Sequence, residues 1–191
     1  MEKKNINAIV LAGGSSSRMG QDKAMLNYRG KTFLNQLCDM LKPLVDNIII
    51  SSNNPLHEVP GCKRIGDVEN DAGPLMGIYS GLAHSDSKYH LVISCDSPLL
   101  SSEFMSYLIT SHHASLNLTL VKEGDQLYPL IAVYDTRCSH FIKKYLDSGK
   151  RRVLGVLEEL KVQTIDLPEQ FRFQVRNFNS PEDLKYLEKH V

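Results

Sequence analysis

Short runs of consecutive apolar residues alternate along this chain with longer stretches in which apolar residues recur every three or four positions. The first pattern predicts strands buried on both faces; the second predicts helices with one buried face. Ile6–Leu11 is the first apolar run, and a Gly/Ser-rich loop follows it. Phe33, Leu37, Leu41 and Leu44 then share a helical spacing, with Pro43 suited to the helix end. Residues 47–51 (NIIIS) read as a second strand, 63–66 as a short third, and 90–95 (HLVISC) as another. Between them, 74–84 reads as a helix with Pro74 at an early position. Ser102 is a candidate cap for a helix running to about residue 112.

The pattern then changes. Residues 116–121 and 130–134 are strand-like and flank a polar stretch containing Glu123, Gly124 and Asp125, which predicts a hairpin-like excursion. Residues 136–146 return to helix, with Gly149 as a stop. Residues 152–160 read as helix and 162–165 as strand, and Ser180-Pro181-Glu182-Asp183 opens a final helix. Strands alternating with helices predict an α/β fold: a mostly parallel, open, Rossmann-like sheet with helices on both faces. One domain over residues 1–191 is expected.

Composition narrows the function classes. Apolar residues make up 42% of the chain and charged residues 23%, which suits a folded globular protein. The 22 basic and 22 acidic residues cancel, so no broad positive field favours nucleic acid or an anionic membrane. The cysteines Cys38, Cys62, Cys95 and Cys138 form no CxxC pair, and the first residues show no secretory pattern. Reduced thiols and a cytoplasmic location are the expectation. The apolar runs are too short to cross a bilayer. The seven histidines suggest no metal triad, and no spacing suggests a Ser-His-Asp or Cys-His arrangement.

The chemistry concentrates in the loop after the first strand, LAGGSSSRMGQDK. Gly13 and Gly14 permit sharp bending and expose successive N–H groups, Ser15 to Ser17 add hydroxyls, and Arg18 and Lys23 add charge suited to a triphosphate. Gly-Gly with serines alone would be a flexible turn; the cations beside the glycines are the informative part. The string is neither GxGxxG nor GxxxxGK[ST], so neither a dinucleotide fingerprint nor a Walker loop is indicated. Asp96 follows the apolar run 90–95. It suits either a turn before Pro98 or a divalent ion.

LAGGSSSRMGQDKAML resembles the signature of the nucleotidyltransferases related to molybdenum cofactor guanylyltransferase. GPLMGI, CDSPLL, RRV and the stretch from Asn177 to Leu184 resemble later motifs of the same family, in the same order. The resemblance implies that Leu11, Ala12, Gly13 and Gly14 contact the guanine nucleotide, that Lys23 binds its phosphates and that Arg18 assists. It implies that Asp96 holds Mg2+ and that Asp67 and Asn53 lie near the nucleotide; Asn54 leaves the choice between the two amides open. Arg152, Asn177 and Asn179 would face the second substrate. Tyr128-Pro129-Leu130 departs from the family, which often shows His or Gln before Pro-Leu. The implied reaction transfers GMP from GTP to molybdenum-molybdopterin, giving the guanine dinucleotide cofactor and pyrophosphate. Cofactor-delivery or acceptor proteins are candidate partners. A cytidylyl or sugar-nucleotide transferase is the alternative within the enzyme class, and a non-catalytic nucleotide-binding adaptor is the alternative outside it.

Overall fold

The structure is a computed structural model that describes residues 5–13, 22–68 and 73–177. Its centre is a seven-stranded sheet in the order β5-β4-β1-β6-β8-β7-β9. The strands are β1 (Ile6–Leu11), β4 (Ile48–Ser51), β5 (Lys63–Ile65), β6 (Tyr89–Ser94), β7 (Leu118–Glu123), β8 (Gln126–Asp135) and β9 (Val162–Asp166). All ladders are parallel except the two that β8 makes with β6 and β7. β8 is therefore the single reversed strand, and the predicted mostly parallel sheet is observed. A separate two-stranded ribbon, β2 (Asn27–Tyr28) with β3 (Lys31–Thr32), lies outside it.

The continuous apolar strands are explained by burial on both sides. All six residues of β1 are buried. Ala8 and Val10 join one core with α1 (Phe33–Leu41), α3 (Ser102–Thr110) and the late residues Leu167, Phe171 and Val175. Ile9 and Leu11 join the other with α2 (Pro74–Ala83), α4 (Cys138–Asp147) and α5 (Val153–Val156). Helices thus cover both faces, as an open α/β sheet requires.

Helix ends follow local chemistry. Thr32 caps α1 by accepting from the Asn35 amide at 3.2 Å. Ser101, rather than Ser102, caps α3, accepting from the Phe104 amide at 3.2 Å. The difference arises because Ser101 keeps extended backbone (φ −106°, ψ 155°), while Ser102 already lies inside the helix. The segment expected as helix over 152–160 is α5 followed by a 3-10 turn, Leu157–Glu159. The expected final helix lies outside the described residues, and so do Gly14, Arg18 and Asn179.

Among the described residues no helix is long and apolar enough to cross a membrane. The four cysteines are free thiols. Burial pushes the Cys138 thiol up to about 12 and Cys38 higher still, so both act as small apolar side chains.

Candidate active site

The parallel half of the sheet brings the carboxyl ends of β5, β4, β1 and β6 to one edge. Ligands of open α/β sheets bind at such an edge. Leu11 and Ala12 are buried there, and Gly13 is exposed just beyond. The Ala12 amide donates to Ser51 O at 3.1 Å, and the Cys95 amide donates to Leu11 O at 3.1 Å. The start of the first loop is therefore tied to the ends of both neighbouring strands.

A small polar cluster stands beside it. Ser51 Oγ donates to Asp67 Oδ1 at 2.9 Å, and the Asp67 amide donates to Asn53 Oδ1 at 2.9 Å. The Val68 amide donates to Ser80 Oγ on α2 at 3.1 Å. Asn53 is exposed and bridges to Asp67. Asn54 is committed to the protein: its Nδ2 donates to Asp22 Oδ2 at 2.7 Å and its Oδ1 accepts from the Leu56 amide at 2.9 Å.

Helix α2 points its N-terminus at this edge. Gly73 caps it at φ +77°, a backbone conformation that side-chain-bearing residues rarely adopt. At Gly77 the helix touches the site directly. A Cβ there would stand 2.9 Å from Ser51 Oγ and 3.0 Å from Leu11 Cδ2, with Asp67 Oδ1 at 3.6 Å. The family-like GPLMGI string is thus a close approach of helix to sheet, and its partial positive end faces the cluster. Gly77→Ala is expected to push Ser51 off Asp67 and raise the substrate KM about tenfold, the effect of one lost hydrogen bond. Steady-state kinetics with thermal unfolding checks this; an unchanged KM in a folded variant refutes it.

Asp96 is half-buried in the turn after β6. Asp96, Asp22 and Lys23 all act on the neighbouring Cys95 thiol: burial pushes it up to about 12, the two carboxylates raise it and the ammonium lowers it. Asp22 ties the Lys23 turn to the loop after β4, and Asp96 follows Cys95 at the end of β6, where the Cys95 amide holds Leu11 O. Both turns thus stand at the same edge of the sheet, although the two residues lie far apart in sequence. Among the described residues no group of three or more His, Cys, Asp or Glu could hold a metal ion. Mg2+ binds through one or two carboxylates plus substrate phosphates and water. Among the described residues, Asp96 fits an ion held in part by substrate phosphates.

The second-substrate candidates separate. Asn177 reaches the Asp96 turn, where Ser97 Oγ donates to its Oδ1 at 3.2 Å. Nearby, the Ser101 amide donates to Gln174 Oε1 at 2.9 Å, so the late chain docks on the β6–α3 connection. Arg152 is exposed at the start of α5. Its neighbour Arg151 donates to Leu146 O at 2.7 Å, closing the end of α4. Tyr128-Pro129-Leu130 falls at an irregularity: β7 pairs Val121 with Tyr128 but Leu120 with Ala132. Tyr134 Oη donates to Pro129 O at 2.8 Å and holds this bulge. Pro129 costs no ladder bond in that position.

One arrangement was not legible from spacing. Ser52 Oγ lies 2.6 Å from His57 Nδ1, and His57 Nε2 lies 2.7 Å from Asp22 Oδ2. This has the order of a Ser-His-Asp triad, yet Ser52 is 1% exposed and out of reach of substrate.

The sequence pattern of the MobA-like NTP transferase domain matches residues 8–163. A probable molybdenum cofactor guanylyltransferase of Flavobacterium johnsoniae is 28% identical over 96% of this chain and 97% of its own length. A probable molybdenum cofactor guanylyltransferase of Nostoc is 32% identical over 96% of this chain and 91% of its own. The crystal structure of molybdopterin-guanine dinucleotide biosynthesis protein A from Archaeoglobus fulgidus superposes with a TM-score of 0.82 at 24% identity, over 96% of this chain and 97% of that one. With the matched region covering most of the chain, the protein belongs to the family of MobA-like NTP transferase domains.

Proposed function

We propose that this protein is a molybdenum cofactor guanylyltransferase that moves GMP from GTP to molybdenum-molybdopterin and releases pyrophosphate. The observation that supports the reading is the gathering of the Lys23 turn, the Asp96 turn and the Ser51–Asn53–Asp67 cluster at the carboxyl edge of the four parallel strands. The names of the relatives supply the base and the acceptor. The chain acts as one nucleotidyltransferase domain, and a cytoplasmic location fits its free thiols.

In this mechanism a terminal phosphate of the pterin attacks the α-phosphate of GTP. The new P–O bond forms as the α–β bond breaks, and pyrophosphate leaves with its electron pair. The nucleophile is already anionic, so no side chain need remove a proton. Leu11, Ala12 and Gly13 bind the nucleotide along the backbone at the end of β1. Asn53 and Asp67 fix its nucleoside part. Lys23, with Arg18, holds the β- and γ-phosphates and neutralises charge that grows on the leaving group. Asp96 is the carboxylate that would hold Mg2+, and the ion would neutralise phosphate charge. Asn177, Asn179 and Arg152 orient the second substrate.

The test is pyrophosphate release with GTP, Mg2+ and molybdenum-loaded molybdopterin. Release that needs all three is expected. A thermal-shift comparison of GTP, CTP, ATP and UTP with Mg2+ reads the base, since a ligand that binds the native state raises stability. Stronger stabilisation by CTP overturns guanylyl transfer in favour of a cytidylyl relative. GTP binding without pyrophosphate release overturns the enzyme in favour of an adaptor.

A further inference from the structure

Lys23 is the first residue of a short 3-10 turn, Lys23–Met25. Its placement depends on the residue before it. Asp22 Oδ1 accepts from the Ala24 amide at 3.1 Å and so caps this turn. The other oxygen, Oδ2, faces away from the turn toward the loop after β4. There it accepts from Asn54 Nδ2 at 2.7 Å and lies 2.7 Å from His57 Nε2. The carboxylate is a bracket between two loops that no strand pairing joins.

The far side of the bracket is rigid. His57 is 2% exposed. Its amide donates to Asn54 O at 3.1 Å, and its Nδ1 lies 2.6 Å from Ser52 Oγ. Ser52 in turn is fixed to the sheet, its amide donating to Ile65 O at 2.9 Å while its Oγ accepts from the Asn54 amide at 3.1 Å. With Nε2–H donating to the Asp22 carboxylate, Nδ1 accepts the Ser52 hydroxyl proton, and every member has a partner. The chain runs from the β4–β5 edge of the sheet, through an imidazole, to the residue that caps the Lys23 turn.

We propose that His57 is a positioning residue for the triphosphate: it fixes Asp22, and through Asp22 it fixes the turn that presents Lys23. This rests on the reading of Lys23 as a phosphate ligand. His57 touches no substrate; its effect passes through the Asp22 bracket. The geometry requires a donor at the Nε2 position, since a carboxylate lies opposite it. The Nδ1 position serves only to orient the ring.

The test uses the full chain and three probes, GTP with Mg2+, inorganic tripolyphosphate and guanosine, titrated against the parent and variants. His57→Leu is expected to weaken the two phosphate probes about tenfold while changing guanosine binding less than twofold. His57→Gln, whose amide nitrogen reaches the Nε2 position, is expected to recover most of the loss. His57→Asn, which reaches only the Nδ1 position, is not. In a Lys23→Ala background His57→Leu is expected to add nothing, because two residues acting through one contact are not additive. Equal behaviour of the Gln and Asn variants, or an undiminished His57→Leu effect without Lys23, overturns the proposal. Should His57→Leu fail to fold, the Gln and Asn pair, followed with thermal unfolding, carries the comparison. Tripolyphosphate has no base. A parent chain that prefers CTP but loses tripolyphosphate in His57→Leu therefore supports the bracket and overturns only the guanine reading.

Discussion

Asp96→Asn is expected to cut pyrophosphate release about a thousandfold, with a melting temperature within about 2 °C of the parent. The substitution keeps the shape and the turn after β6, so packing is preserved. It removes the anionic oxygen that, in the proposed mechanism, would hold a divalent ion, and an amide is a poor substitute for it. Lys23→Ala is expected to fall by a similar factor, because nothing else on that turn can neutralise the leaving pyrophosphate. The two losses differ in their signature. Added Mg2+ should partly restore Asp96→Asn but leave Lys23→Ala unchanged. Turnover in either variant within about tenfold of the parent would remove that residue from the mechanism.

Acidification is expected to destabilise the fold through His90. This residue lies within β6 at 0% exposure, opposite Asn7 of β1 and Tyr134 of β8. Among the described residues neither ring nitrogen reaches a partner at full hydrogen-bond geometry, although the Tyr134 backbone lies close. Burial holds its pKa down at about 4, against 6.5 in the unfolded chain, with Tyr134, Asp135 and Asp86 opposing weakly. The native state therefore keeps the ring neutral where the unfolded chain protonates it. The stability that His90 preserves is complete above pH 6.5 and is lost as pH falls toward 4. The full loss is about 3 kcal/mol, from 1.36 kcal/mol per pKa unit. Urea unfolding of the parent and His90→Leu at pH 7.5 and 4.5 checks it. The parent should lose about 2–3 kcal/mol more than the variant between those pH values. Parallel losses would show that His90 titrates normally.

The sequence carried the fold where burial dictates pattern. β1 matched to the residue because every position in it is buried. The apolar run 130–134 predicts only part of β8, because Pro129 interrupts it; in the structure the bulge absorbs the proline and the strand begins at Gln126. The β2–β3 ribbon has two-residue strands and no apolar run, so it left no periodic trace. Ser101 and Ser102 compete for one cap, and only the backbone angles choose between them. At the site, loop chemistry and the resemblance singled out Leu11, Lys23, Asn53, Asp67 and Asp96. They could not single out Ser52, His57 and Asp22, since these act by contact across loops rather than by spacing. Arg151, beside Arg152 in the RRV string, closes the end of α4 with its guanidinium, a role that spacing does not reveal.

The reversed strand has a consequence during synthesis. β6 is made long before β8, its partner on one side, and β8 is complete only at Asp135. Once it has left the ribosome, the apolar ladder of Leu91, Val92 and Ile93 waits with a bare edge until β8 follows it out. At about 5–20 residues per second, that wait lasts seconds. The nascent chain is thus exposed to edge-to-edge association in this window. Slower elongation in the interval when β6 has left the ribosome and β8 has not should lower soluble yield more than slowing after β8 has emerged.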